Sequence, residues 1–207
     1  MNNQLQHLLR KNPHIWLGDE AHPEGVTGSP TGYPSLDAIL PGGGWPKNAL
    51  VEVITPHWNT TEMQLLLPRI KKVTEQQQWV LLVLPPFMSD ISVLTRSGVD
   101  MNYVMIIDAE TPYLEAIASI EKSLQSQNCG LVLMWLNHLP NPIIRRLQLA
   151  AHAGNTSGII FRNYKSKNFP SALQIQLKHF QHGVHAHVIK ARGQHRHNSV
   201  SIKFPLH

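Results

Sequence analysis

The sequence predicts an α/β fold: a doubly wound, mainly parallel sheet with an antiparallel extension at its C-terminal end and a helical segment at its N-terminal end. Three observations predict it. Apolar runs such as Trp79–Leu84 and Leu131–Leu136, too hydrophobic for half-exposed strands, alternate with amphipathic segments through the middle of the chain. After Arg162 the pattern changes to strict alternation of apolar and polar residues, as half-exposed strands require. Hydrophobic residues are 42% and charged residues 15% of the 207, a globular composition, and no run approaches the roughly 18 apolar residues of a membrane span.

In chain order, Leu5, Leu8 and Leu9 stand at helical spacing and Pro13 ends that segment. Ile15, Trp16 and Leu17 form an apolar knot, and Gly18 to Gly32 reads as an irregular linker. Such a head either docks another chain or packs back on its own domain. Residues 1–30 are thus a segment and linker, and residues 31–207 a domain with its core to about 162 and its β extension over 172–204.

Ser35 is placed to cap a short helix that Pro41 ends, and Gly42, Gly43 and Gly44 permit a tight loop. Leu50–Ile54 is a buried strand. Thr60–Gln77 follows as a helix with Met63, Leu66, Leu67, Ile70 and Val73 on one stripe. Trp79–Leu84 is a central strand, Asp90–Arg96 a short helix and Val104–Ile107 a strand. Thr111–Ser126 is a helix with its stripe at Leu114, Ile117, Ile120 and Leu124; Leu131–Leu136 is a strand, Asn141–Ala153 a helix and Ser157–Arg162 a strand. This alternation is the pattern of right-handed crossovers in a parallel sheet. Leu173–Lys178, the run about Val184, Ala186 and Val188, and the run about Val200, Ile202 and Phe204 supply the antiparallel strands, with a hairpin turn at Gln181-His182-Gly183.

Charge is unevenly spread. Residues 1–121 hold all 13 acidic side chains and 7 of the 18 basic ones, so residues 122–207 carry 11 basic side chains and no carboxylate. That asymmetry predicts a basic surface for nucleic acid or an acidic partner, against the plainer reading of a solvated face. Lys190, Arg192 and Arg196, around a flexible Gly193, suit phosphate or carboxylate contact. The single cysteine, Cys129, has no internal partner and lies beside an apolar strand, which favours packing over reactivity. With no signal-like N-terminus, a reducing cytoplasm is the expected home. His185 with His187 and His195 with His197 have spacing that puts each pair on one strand face, but neither has a nearby cysteine or carboxylate to complete a metal site; no metal is expected.

The strand Leu50–Ile54 runs into Thr55-Pro56-His57-Trp58-Asn59-Thr60-Thr61-Glu62. A phosphate-binding loop would here be glycine-rich and end in a lysine and a hydroxyl, and no G-x-x-x-x-G-K-[ST] occurs anywhere in the chain. The ends of the apolar strands, Leu84-Pro85-Pro86 and Trp135-Leu136-Asn137-His138, supply no acid to activate water or hold magnesium. Asp108 and Glu110 follow a later strand and read as a turn and a helix N-terminus. No catalytic residue and no cofactor is expected.

The stretch TGYPSLDAILPGGGWPKNALVEV resembles the frame that precedes the phosphate loop of the RecA family, which implies a RecA-like fold. On that resemblance Pro56 matches, Thr55 and Thr60 replace glycines, Thr61 replaces the lysine and Glu62 the magnesium-binding hydroxyl. The same frame, the altered loop before MQLLLP, the ending HVIKARGQ and the N-terminal LLRKNPHIW resemble the ImuA family. That resemblance implies a non-enzymatic adaptor in SOS-induced translesion DNA synthesis. Its implied partners are RecA, met through the C-terminal part, the Y-family-like polymerase homologue ImuB and an alternative replicative polymerase. The centre of the chain, WVLLVLPP, LTRSGVD and WLNHLPNPIIRRLQLAA, is similar to the SulA family, which implies binding FtsZ and blocking its polymerisation. The basic half suits contact with RecA or with DNA, and the apolar head (Leu5, Leu8, Leu9, Trp16) suits a second partner. A divergent ATPase with an unusual loop is the enzymatic alternative.

Overall fold

The computed structural model describes residues 28–56, 58, 60–86, 90–164, 170–191 and 198–204. The expected helical head with Leu5, Leu8, Leu9 and Trp16 lies outside these residues, as do Arg192, Arg196 and the pair His195 and His197.

The strands are β1 Gly28–Ser29, β2 Trp45–Pro46, β3 Leu50–Ile54, β4 Trp79–Val83, β5 Val104–Ile107, β6 Cys129–Trp135, β7 Ser157–Arg162, β8 Leu173–Phe180, β9 Gly183–Ala191 and β10 Ser199–Lys203. The helices are α1 Pro34–Asp37, α2 Thr60–Glu75, α3 Asp90–Arg96, α4 Tyr113–Gln125 and α5 Asn141–Gly154. Eight strands form one sheet in the order β10-β9-β8-β3-β7-β6-β4-β5. The ladders β8·β3, β3·β7, β7·β6, β6·β4 and β4·β5 are parallel, and β8·β9 and β9·β10 are antiparallel. A mainly parallel sheet with an antiparallel extension is therefore what the chain builds.

Burial follows from the strand sequences. β3, β6 and β7 are buried at every position, as strands covered on both faces must be. One face packs Val51, Val53, Leu82, Leu133 and Ile159 under α2 and α3, through Leu66, Ile70 and Leu94. The other packs Leu81, Val132 and Ile160 under α4 and α5, through Ile120, Leu124, Ile144 and Leu147. In β8, β9 and β10 only the first face continues into core; Leu177, Val184, Ala186 and Ile202 are buried while their neighbours Lys178, His185 and Ser201 are exposed. No helix among the described residues is long and apolar enough to cross a membrane.

Three local expectations are corrected. Ser35 lies inside α1 and does not cap it; the N-cap is Tyr33, without a side-chain cap bond. The turn into the helix is instead held by Asp37 Oδ1, which accepts from the Thr31 N–H at 2.8 Å, and by Thr31 Oγ1, which accepts from the Tyr33 N–H at 3.1 Å. Leu114 is 77% exposed: it lies in the first turn of α4, ahead of the part that reaches the sheet, and Ala116 is buried with Ile117. The linker ends before Gly32, because Gly28 and Ser29 already pair with Pro46 and Trp45.

The C-terminal ends of α4 and α5 meet closely. A Cβ on Gly154 would stand 2.1 Å from the Leu124 carbonyl oxygen, a backbone atom that cannot swing aside. Gly154→Ala should cost about 1–3 kcal/mol of stability. Thermal melting should show it as a drop of roughly 2–4 °C per kcal/mol.

Candidate functional site

The end of β3 and the start of α2 build the first candidate. β3 lies between β7 and β8 and delivers Thr55 beneath the helix end, where its N–H donates to the Arg162 carbonyl at 2.8 Å. Thr55 Oγ1 donates to Glu62 Oε1 at 2.6 Å and stands 3.1 Å from His179 Nε2, which is itself 3.0 Å from Glu62 Oε1. Thr55 and Glu62 are buried, Thr61 is half-buried, Pro56 is exposed, and Thr60 opens the helix.

This geometry bears on anion binding at the start of α2. Amides at a helix N-terminus favour an anion, and here the chain supplies one of its own, the Glu62 carboxylate in the first turn of α2. An incoming phosphate would meet that carboxylate in a buried setting, where repulsion is poorly screened. His179, at the far end of β8, closes the arrangement; the sequence reading did not single it out, because it lies 117 residues from Glu62.

Three residues before Thr55, on the opposite face of the sheet, is a buried polar network. Glu52, fully buried, takes Arg162 Nη1 at 3.1 Å on Oε1 and Gln174 Nε2 at 2.6 Å on Oε2. Arg162 Nη2 donates to the Asn137 carbonyl at 2.8 Å and to the Tyr164 hydroxyl at 2.7 Å, and the guanidinium lies 4.6 Å from the Tyr164 ring centroid. Burial pushes the Glu52 carboxyl above its ordinary range, against the pull of Arg162 and Gln174. Because the folded chain holds that proton to higher pH than the unfolded chain, this group costs stability as pH rises through the window between the two values. The signal for this network was in the sequence: a glutamate inside LVEVI needs a buried partner.

A groove of about 800 Å³ between α2 and α3 is lined by Tyr33, Leu67, Lys71, Arg96 and Phe204. Burial pushes the Tyr33 phenol up to about 12, and its hydroxyl donates to the Gln64 carbonyl at 3.0 Å. On the open face of β8, β9 and β10 a trough of about 740 Å³ runs past Gln176, Lys178, His185, His187 and Ser201. His185 and His187 do share that face, as their spacing predicts, and among the described residues no group of three metal-ligating side chains occurs. Lys190 is exposed on β9. Cys129 is the buried first residue of β6, its thiol pushed up to about 11 by burial, which disfavours the reactive thiolate.

Against known proteins, the family model described as cell division inhibitor SulA matches residues 50–158, from the start of β3 into β7. Proteins named cell division inhibitor SulA from Yersinia pestis (strain Pestoides F) and Yersinia pseudotuberculosis serotype O:1b (strain IP 31758) are 35% identical over 99 residues, 48% of this chain. The match spans 58% of each relative's length. The crystal structure of SulA from Pseudomonas aeruginosa aligns with a TM-score of 0.44 at 21% identity, over 54% of this chain and 96% of that one.

The ion pair at the centre is open to test. Glu52→Leu strands a buried guanidinium and should cost about 3–5 kcal/mol, whereas Glu52→Leu with Arg162→Met should restore much of the loss. Urea unfolding midpoints of the two variants against the parent give the answer.

Proposed function

This chain belongs to the SulA family, and from that premise we propose that it is a non-enzymatic, cytoplasmic protein-binding module that inhibits cell division by binding FtsZ and blocking its polymerisation. The observation that carries the reading is the family match across β3 to β7, the core of the sheet. The buried cluster of Thr55, Glu62 and His179 supports the non-enzymatic part, since it puts a carboxylate in the first turn of α2, beside the place where a nucleotide phosphate would need to sit. The sheet order, with β3 central and β4 and β5 reached by crossing back over β7 and β6, is compatible with a RecA-like core that has lost its phosphate loop.

A second reading, the ImuA-type adaptor of translesion synthesis, is favoured by what the family match leaves out. The frame from Gly28 to Ala49 places Leu36, Leu40 and Trp45 in the same core as β3, and β8–β10 extend the same sheet. In that reading RecA meets Lys190, Arg192 and Arg196, and the head with Leu5, Leu8, Leu9 and Trp16 holds ImuB or a replicative polymerase.

Light scattering of FtsZ with GTP should be suppressed by stoichiometric amounts of this chain. Undiminished FtsZ polymerisation, with RecA retained by the immobilised chain and lost on reversing Lys190, Arg192 and Arg196 to Glu, would replace the first reading by the second. Titration calorimetry with ATP and magnesium should give no heat. A low-micromolar dissociation constant, about −8 kcal/mol, would instead restore the divergent ATPase.

A further inference from the structure

We propose that the open face of β8, β9 and β10 is a platform for single-stranded nucleic acid. Cross-strand partners project to the same side of a sheet. Gln176 is paired with His187, Lys178 with His185, and His185 with Ser201, so these side chains line one surface. Lys203, two residues beyond Ser201 on β10, shares it, and so does Lys190 through its pairing with Gln174. Lys178, His185, His187, Lys190 and Lys203 are exposed, and the opposite face is core.

Three properties fit a nucleic-acid strand. The first is charge: residues 122–207 contain no carboxylate, so none of these three strands repels phosphate. The carboxylate nearest in the ladder, Glu52 beside Gln174, is fully buried and already held by Arg162 and Gln174. The second is a ring surface. Phe180 and His185 lie with centroids 4.5 Å apart and planes inclined by 34°, a polar-apolar pair at one end of the trough on which a splayed base can stack. The third is shape: the trough of about 740 Å³ is lined by side chains from all three strands, Gln176 and Lys178, His185 and His187, and Ser199 and Ser201, which suits an extended single strand; a duplex keeps its base faces stacked inside. The surface lies outside residues 50–158, so it goes beyond the family reading and does not depend on FtsZ.

Fluorescence anisotropy with a labelled oligo-dT of about 20 nucleotides, at about 50 and 200 mM salt, tests the proposal on the full chain. The parent should bind saturably and more weakly at the higher salt. Lys178→Glu with Lys203→Glu should keep the melting temperature, lose at least about tenfold in affinity and flatten the log–log salt slope by roughly 1.4. Phe180→Leu with His185→Ala should weaken binding by about tenfold and leave the slope unchanged. No saturable binding by the parent at low salt, undiminished binding by the charge-reversed variant, tighter binding to duplex of equal length, or displacement of oligo-dT by oligo-glutamate at equal concentration would each overturn the assignment, the last in favour of an acidic protein.

Discussion

Glu52 stands in the central strand of the sheet with no exposure to solvent, and much of the surrounding structure answers the need to satisfy it. A buried carboxylate without partners would cost several kcal/mol. β7 meets that need on one side with Arg162 and β8 on the other with Gln174, so the two parallel neighbours of β3 are joined through one side chain as well as through their ladders. A one-residue slip of either neighbour would turn its polar side chain to the opposite face and leave Glu52 short of a partner. The network therefore fixes register at the place where the parallel sheet meets its antiparallel extension. Asn137, between β6 and α5, is drawn in as well, since its carbonyl accepts from both Arg162 and Tyr164.

The C-terminal end of β3 shows the same arrangement. A strand leading into a helix N-terminus is a common place for an anion, and in this chain the anion is part of the protein. Glu62 lies in the first turn of α2, Thr55 donates to it, and His179 ties β8 to both. The two polar clusters lie on opposite faces of the sheet and hold β8 against β3 from both, which explains how a strand from the C-terminal extension becomes integral to the core.

The course of the chain was legible in the sequence because strand and helix differ in apolar period. Stripes such as Ile117, Ile120 and Leu124 mark a helix by their spacing, and buried runs such as LLV and LVLMW are assigned to strands by their shortness and β-branched content. The absence of a glycine-rich phosphate-binding motif could be read directly from the residues after β3, Thr55, Thr60, Thr61 and Glu62 among them. The partners of the polar residues could not be read that way. Arg162 meets Glu52 across 110 residues, and Thr55 meets His179 across 124, separations at which pattern carries no information about contact. Ser35 failed as a cap for a related reason: a hydroxyl beside a helix start is a propensity, whereas the bond from Thr31 to Asp37 depends on how the preceding turn lies. The exposure of Leu114 reflects where α4 reaches the sheet, which periodicity alone does not set.

The order of the sheet bears on how the chain acquires its structure during synthesis. β3 emerges early, yet both of its neighbours, β7 and β8, begin at residues 157 and 173. Loop closure over more than a hundred residues must therefore precede any ladder on that strand. Until then LVEVI is an unpaired apolar edge, the kind of segment that nascent chains expose to aggregation and that chaperones shield. Truncated products ending before β7 would carry a strand that is buried at every position in the folded chain, with nothing to pair it.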